Sequence, residues 1–189
     1  DALSRLPRAG ATTVDPCDLP SAEQLQEVRS CVFRTEFKAA LDAFLAASGA
    51  PCGIGSVADL IRWNAAHPDA IPYGQSLLLA AAETAGLDDP AYRLDRARDI
   101  ALSRTAGIDA ALAFAGVDAL ISPMGAAAKL TGKAGAPAIS IPAGATADGV
   151  PFGVTLYASL GQDRALLAVA SAVESIVGER RLPAVARGA

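Results

Sequence analysis

The sequence has few of the side chains on which common catalytic sites depend. Among 189 residues there is one histidine, His67, and there are three cysteines, none in a CxxC pair. No GxSxG elbow, P-loop, GxGxxG or HExxH pattern occurs. His67 precedes Pro68 in a predicted loop, and no serine or cysteine partner is implied beside it, so we do not expect it to be catalytic. A metal site is not expected either.

Positive charge is also scarce. Lysine occurs only as Lys38, Lys129 and Lys133, and the formal net charge is -4. Binding to nucleic-acid phosphates needs clustered lysine and arginine, so a nucleic-acid partner is not expected. Arginine outnumbers lysine and alanine is abundant, a bias typical of a GC-rich bacterial genome.

The cysteines favour a reducing compartment. Cys17, Cys31 and Cys52 are odd in number, which predicts reduced thiols in a cytoplasmic protein rather than a disulfide framework or a metal site. No signal peptide pattern is seen. The uncharged stretches between Lys133 and Asp163 are rich in proline and glycine, so no membrane span is predicted.

The chain is organised around a stretch of short apolar runs from Asp118 to Gly161. Each run is closed by proline or glycine, which predicts buried strands at 119–122, 138–141 and 152–158. The first two runs are almost continuously apolar, as is typical of strands covered on both faces. Another short strand is predicted at 12–14. Helical patterns surround these runs, so the sequence predicts an α/β fold with a sheet core covered by helices.

The first helical patterns occupy residues 21–48. Ser21 and Gln24 form a capping-box pattern, and an apolar stripe that includes Phe33 and Phe44 is interpreted as core packing. Ser56 is predicted to cap the next helix, with Asp59 at its third position. The glycines before Ser56 could instead hold an anion at the helix N-terminus, but a turn with an N-cap is preferred.

Later patterns predict a helix or a broken pair over 89–116. Asp89 is its predicted N-cap, Gly107 a break and Gly116 its end. The last helix is predicted to begin at Asp163 and to end at Gly178. The segment from Gly125 to Gly135 is predicted to be the most mobile loop.

Several blocks resemble the C-terminal segment of amidase signature enzymes, in that family's order and spacing. Similar blocks earlier in the chain match parts of that family that follow its catalytic core. The later blocks are GAPAISIPAG at 135–144, DG at 148–149, PFGVTLY at 151–157, GQDRALL at 161–167 and RRLP at 180–183; the earlier ones are the first 16 residues, SVADLIRWN at 56–64 and PYGQS at 72–76.

The resemblance implies a mixed sheet covered by helices, part of an α/β/α amidase fold. Residues 1–189 would be the C-terminal portion of an incomplete amidase domain. The parent protein would hydrolyse the C–N bond of a small carboxamide through an acyl-serine intermediate, without cofactor or metal. The family's Ser-Ser-Lys triad and its glycine- and serine-rich oxyanion loop lie upstream of the matched region. No residue of this chain inherits those roles, so the chain alone is expected to be inactive.

Four residues are the expected contribution of this chain to a substrate pocket: Ser122, Pro123, Met124 and Gly125. They follow a predicted strand at the point where the family's later half approaches the active site, and ligand sites form outside strand ends. The alternative is that they are turn residues without ligand contact. A Ser-Lys pair of Ser122 with Lys129 or Lys133 is rejected in favour of the upstream triad.

A different class of function is the alternative to an amidase. The chain could be a catalytically inactive structural or binding module that retains part of the amidase framework. In either case, a missing N-terminal amidase region would leave apolar surface uncovered, because 52% of residues are hydrophobic and 19% are charged. The isolated chain is therefore expected to form homo-oligomers or to aggregate, through the faces of Ile139, Ile141, Val154 and Leu156.

Overall fold

A computed structural model describes residues 3–177 and residue 180. Contacts divide the chain into two compact units. The sheet unit comprises Asp1–Val28 and Asp99–Ala189, and the helical unit is Arg29–Arg98. The predicted helix end at Gly178 and the family-like residues 181–183 lie outside the described residues.

Helices make up most of the described chain. A π-helical segment, Ala101–Asp109, joins two α-helices, and single 3-10 turns occur at Pro51–Gly53 and Pro68–Ala70. The α-helices are α1 Arg5–Arg8, α2 Ala22–Glu27, α3 Val32–Ala47, α4 Val57–Ala66, α5 Ser76–Ala82, α6 Pro90–Ile100, α7 Ala110–Ala115, α8 Ala128–Ala134 and α9 Asp163–Val177.

The three predicted strands of the central stretch are confirmed as one antiparallel sheet. They are β1 Leu120–Pro123, β2 Ala138–Ala145 and β3 Pro151–Tyr157, in the spatial order β1-β3-β2. β2 runs beyond its predicted end, because an irregularity between Pro142 and Gly144 restores the pairing with β3.

The predicted strand at 12–14 is wrong. Residues 11–14 are exposed and have no regular structure. A strand needs a neighbour to accept its backbone hydrogen bonds, and within the described chain this segment pairs with none of the three strands.

One face of the sheet is covered by α9. This helix places four buried residues at helical spacing over the sheet, which buries Ile141, Val154 and Leu156. Ile139 packs partly buried against the same core. The expectation that the faces of these four strand residues would be bare is therefore wrong. The helix residues are Leu166, Ala170, Val173 and Val177.

The opposite face packs on the π-helical segment, α7 and α8. Leu120 and Tyr157 from the sheet share a core with Ile108, Ala111 and Ala134. Helices therefore cover both faces, and the predicted α/β fold class is confirmed. Coverage is uneven, however: β3 is buried along its second half, whereas alternate residues of β2 are exposed. The expectation that β2 is covered on both faces is wrong for this chain.

The predicted helix over 21–48 is broken. It separates into α2 and α3 because Val28 adopts an extended conformation, and because the Asp95 carboxylate accepts a 2.8 Å hydrogen bond from Cys31 N. The capping box at Ser21 is also wrong. The Ser21 hydroxyl does not cap α2 and instead donates a 2.7 Å hydrogen bond to Leu102 O.

Helical structure runs continuously over 90–115. Asp89 caps its start through a hydrogen bond from Ala91 N, and Gly116 ends it in the left-handed conformation, as predicted. Gly107 is not a break. A Cβ at this position would lie 2.5 Å from Leu102 O and 3.2 Å from Ser21 Oγ, so the glycine permits the wide π-helical turn.

In the helical unit, the predicted helix cap at Ser56 is confirmed, but the predicted burial of the aromatic side chains of α3 is wrong. Ser56 Oγ accepts a hydrogen bond from Asp59 N, and the Asp59 carboxylate accepts bonds from the Ser56 hydroxyl and Gly55 N. On α3, however, Phe33 is 72% exposed and Phe44 65% exposed. Their interpretation as core residues is wrong for the chain as it stands.

Candidate functional site

A row of hydroxyl side chains crosses the sheet at one register. Ser122 of β1, Thr155 of β3 and Ser140 of β2 are paired across the three strands. They share the face that packs on α8, because alternate residues of a strand point to the same side. Ser140 and Thr155 hydroxyls are 2.7 Å apart, and Thr155 donates to Met124 O. This face of the sheet is therefore polar at its centre, whereas the α9 face is apolar.

The chain turns sharply where β1 ends. Met124 has a φ of 51°, a left-handed conformation that residues with a side chain rarely adopt. β3 holds the turn, since Met124 N donates a 2.9 Å hydrogen bond to Gly153 O and the Thr155 hydroxyl binds Met124 O. Strained backbone of this kind is common at functional sites.

α8 follows this turn and contradicts the predicted mobile loop over 125–135. The glycines of this segment are residues typical of loops, which led to the prediction. In the structure, Gly132 lies inside the helix and Gly135 ends it in the left-handed conformation. Arg104 Nε donates a 2.7 Å hydrogen bond to Ala134 O, which satisfies a carbonyl at the helix end. α8 is thus a fixed element of the site.

A pocket of about 330 Å³ lies in the sheet unit, and we call it the serine pocket. Its polar lining consists of Ser103 from the π-helical segment, Ser122 from β1, Lys129 and Lys133 from α8, and Tyr157 from β3. The rest of its lining is apolar: Leu19, Ala22, Leu25, Ala126, Ala127 and Leu130.

Two buried hydroxyls in this pocket have no partner. Among the described side chains, Ser103 Oγ and Ser122 Oγ are the buried oxygens that make no hydrogen bond. Ser103 is completely buried. An unsatisfied buried group costs about 1–3 kcal/mol, so such groups call for an explanation. Both hydroxyls line the same pocket although they belong to different elements.

The two lysines of the pocket differ in their electrostatic surroundings. Lys133 Nζ lies 2.6 Å from Asp99 Oδ1, and Asp99 is 1% exposed, so this ammonium compensates a buried carboxylate. Lys129 is exposed and forms no ion pair with the described residues. Ser122 Oγ makes no hydrogen bond to either lysine. The described geometry therefore does not assemble a Ser-Lys pair.

Tyr157 of β3 is one of the residues that line the serine pocket. Burial raises the pKa of Tyr157 above its ordinary value, and Cys17 adds to the increase. The phenol therefore remains protonated at neutral pH. Neither Ser103 nor Tyr157 was among the predicted site residues. Tyr157 shares the face of Thr155, a period-two relationship visible in the sequence, whereas nothing local marks Ser103.

A second pocket, of about 470 Å³, is lined by other residues of α8 and by the two hydroxyl residues of the row that do not line the serine pocket, Ser140 and Thr155. It is lined by Gly125, by Thr131 of α8, and by Ser140 and Thr155 of the sheet, among others. The four predicted site residues are thus divided. Ser122 lines the serine pocket and Gly125 lines the second pocket, while Pro123 and Met124 line neither.

His67, in the helical unit, is engaged by Trp63. Its Nδ1 lies 2.7 Å from Trp63 O, and its ring stacks on Trp63 at 4.1 Å between centroids. In the described part of the chain, no group of three or more His, Cys, Asp or Glu side chains could hold a metal. Within the same residues, no helix combines the length and hydrophobicity needed to cross a bilayer.

Solved structures provide the comparison that decides the fold. The native peptide amidase from Stenotrophomonas maltophilia superposes with a TM-score of 0.87 at 35% sequence identity over 96% of this chain. The peptide amidase PAM in complex with the competitive inhibitor chymostatin gives the same values. These structural neighbours are amidases. The resemblance to the amidase signature family is thereby confirmed.

The amidase match extends to a more distant structure and has a defined length. An amidase family protein from Bacillus anthracis str. Ames shares the fold with a TM-score of 0.79 at 22% identity over 96% of this chain. The chain spans 39–40% of the peptide amidases and 35% of the Bacillus protein. No protein-family model and no curated protein sequence matches the chain.

Proposed function

We propose that this chain is the C-terminal portion of an amidase-type hydrolase whose nucleophile lies upstream of residue 1. The observation that carries the proposal is the peptide amidase match, which covers 96% of this chain but only about two fifths of the relatives. The described residues agree, because Ser122 Oγ has no bonded base and Lys133 is engaged by Asp99. A serine nucleophile needs both a base and an orienting group.

In this proposal a serine of the preceding segment attacks the carbonyl carbon of a small carboxamide. The C–N bond breaks, the amine leaves with a proton, and water then hydrolyses the acyl-serine ester to release the acid. The oxyanion is held by backbone N–H groups of that segment. The names of the relatives favour peptide carboxamides as substrates. No cofactor or metal is invoked, and the protein is proposed to act in the cytoplasm.

The chain itself would supply one wall of the substrate pocket. We assign this role to the turn that follows β1, that is Ser122, Pro123, Met124 and Gly125. Two observations support the assignment: the left-handed backbone of Met124 and the unpartnered Ser122 hydroxyl. The exposed aromatic side chains of α3 would be covered by the preceding segment, which is the proposed partner.

The second candidate function is a catalytically inactive binding module. It is favoured by the absence of an activated nucleophile among the described residues. The DNA upstream of Asp1 separates the two candidates. An open frame that encodes a Ser-Ser-Lys set in a glycine- and serine-rich context supports the hydrolase, whereas a native start at Asp1 supports the module.

Activity measurements complete the test. The 189-residue chain should not hydrolyse a panel of primary and aryl amides, whereas the longer protein encoded by that frame should. Turnover by the 189-residue chain that is lost in Ser122→Ala, but retained in the exposed control Ser175→Ala, would overturn the upstream assignment. It would also restore the rejected Ser-Lys pair.

A further inference from the structure

The serine pocket contains hydrogen-bonding groups that the described chain does not satisfy. Ser103 is completely buried in the π-helical segment, Ser122 lies on β1, and neither hydroxyl has a partner. Buried polar groups in folded proteins are almost always paired. The convergence of two such hydroxyls on one pocket therefore indicates a ligand with oxygen or nitrogen acceptors. A π-helical turn at such a position is typical of functional sites.

The charges that line the pocket indicate whether its ligand is an anion or a cation. Its two ionisable cations are Lys129 and Lys133, and Lys133 is paired with the buried Asp99 carboxylate at 2.6 Å. Lys129 has no carboxylate partner among the described residues, so the lining carries one uncompensated positive charge. A ligand with a single negative charge would balance it, whereas a cation would be repelled.

The remaining lining defines the body of the ligand. Leu19, Leu25 and Leu130 contribute apolar surface, and the volume of about 330 Å³ suits a small molecule rather than a polymer. A carboxylate fits the polar end, because its two oxygens together offer about four acceptor positions. Serine hydroxyls and an ammonium group all donate to such an acceptor.

We propose that the serine pocket binds a small monocarboxylate with an apolar tail. The hydroxyls of Ser103 and Ser122 donate to the carboxylate, Lys129 balances its charge, and the leucines enclose the tail. Binding does not require the proposed hydrolysis. A carboxylic acid is, however, the class of product that hydrolysis of a carboxamide releases, so the same pocket would suit a product acid.

Four probes, three of which share a six-carbon skeleton, test the chemistry in the 189-residue chain. Hexanoate, hexanamide and hexylamine differ in the charge of the head group, and acetate lacks the tail. We expect hexanoate to bind at least tenfold more tightly than each of the others in an NMR titration, with shifts concentrated at Ser103, Ser122 and Lys129. Equal binding of hexanoate and hexylamine would overturn the proposal, as would tighter binding of hexanamide or the absence of these shifts.

Matched variants test the residues. Lys129→Gln and Ser103→Ala should each weaken hexanoate binding about tenfold, whereas Lys38→Gln and Ser175→Ala should leave it unchanged. Ser103→Ala removes an unsatisfied hydroxyl, so without hexanoate its melting temperature should equal or exceed that of the parent chain. Equal losses in Lys129→Gln and Lys38→Gln would contradict a specific site, and so would a lower melting temperature of Ser103→Ala.

The binding test of the serine pocket and the activity test of the proposed hydrolase can succeed or fail independently. Binding of hexanoate by the chain, together with an inactive longer protein, would leave the pocket assignment intact and defeat the hydrolase. An active longer protein whose 189-residue portion binds no hexanoate would do the reverse.

Discussion

Lys133 Nζ lies 2.6 Å from the carboxylate of Asp99, and this carboxylate is almost completely excluded from solvent. The lysine belongs to α8 and the aspartate to the end of α6, so the ion pair joins two elements that are distant in sequence. A buried charge is costly because it has lost its hydration, and its oppositely charged partner offsets that cost. This pair is therefore one of the contacts that hold α8 over the sheet, together with the Arg104 hydrogen bond to Ala134 O.

Removal of the lysine should destabilise the protein strongly. Lys133→Met leaves the Asp99 charge without its ammonium, and the free energy of unfolding should fall by about 3–5 kcal/mol. The matched control is Lys38→Met, whose pair with Asp42 is about one third exposed and should lose no more than about 1 kcal/mol. Urea unfolding of both variants measures the difference. Equal losses would show that burial of Asp99 does not set the magnitude.

Substitution by alanine should have opposite effects on stability at two glycines of the sheet unit. Gly107→Ala places a Cβ 2.5 Å from Leu102 O in the π-helical segment, and this overlap should cost about 1–3 kcal/mol. Gly132→Ala meets no atom within 4 Å and lies inside α8, where alanine should add about 0.5–1 kcal/mol. Thermal unfolding distinguishes them, and a stabilised Gly107→Ala would mean that the π-helical turn is not required.

Acid should destabilise the helical unit through Asp42. Burial works to raise the pKa of Asp42, but hydrogen bonds from Val57 N, at 2.7 Å, and from Lys38 outweigh it and hold the pKa below 3.8. Because the folded pKa is lowered, the stabilisation is complete above pH 3.8 and is lost as the pH falls through the folded value. Melting temperatures between pH 6 and 3 should fall less in Asp42→Asn. Asp88→Asn, whose side chain is fully exposed, should retain the parent profile.

The aromatic side chains of α3 should promote association of the isolated chain. Phe33 and Phe37 stack at 6.0 Å between centroids, and Phe44 continues their side of the helix, exposed to solvent. Phe33→Gln combined with Phe44→Gln should reduce light scattering at high concentration and the binding of a hydrophobic dye. Arg34→Gln, on the same helix, is the control. Association that persists unchanged in the double variant would place the contact elsewhere.

The sequence predicted the parts of the fold that local chemistry determines. The three central strands, the caps at Ser56 and Asp89 and the stop at Gly116 follow from proline, glycine and hydroxyl chemistry within a few residues. The errors occurred where a distant residue decides. Ser21 bonds Leu102 instead of capping α2, and no local pattern reports that competition.

The candidate site was only partly predictable for the same reason. Ser122 was predicted because it follows an apolar run, and it lines the serine pocket; Ser103 reaches the same pocket from a helix 19 residues earlier, a relationship set by packing. α8 was predicted as a loop because its glycines outweighed its helical residues, and its stability depends on Asp99 and Arg104. Contacts of this kind are tertiary, so helix propensity alone could not reveal them.

The strand order β1-β3-β2 also dictates when the sheet can form during synthesis. Among the described strands, β1 and β2 are not neighbours, since each is paired with β3, the last of the three to leave the ribosome. Until the segment up to Tyr157 has emerged, Leu120 and Ile139 lack the β3 residues with which they pair. Two apolar strands therefore emerge before their common partner, and a chain that pauses at this stage exposes unpaired strand edges, which are prone to aggregation.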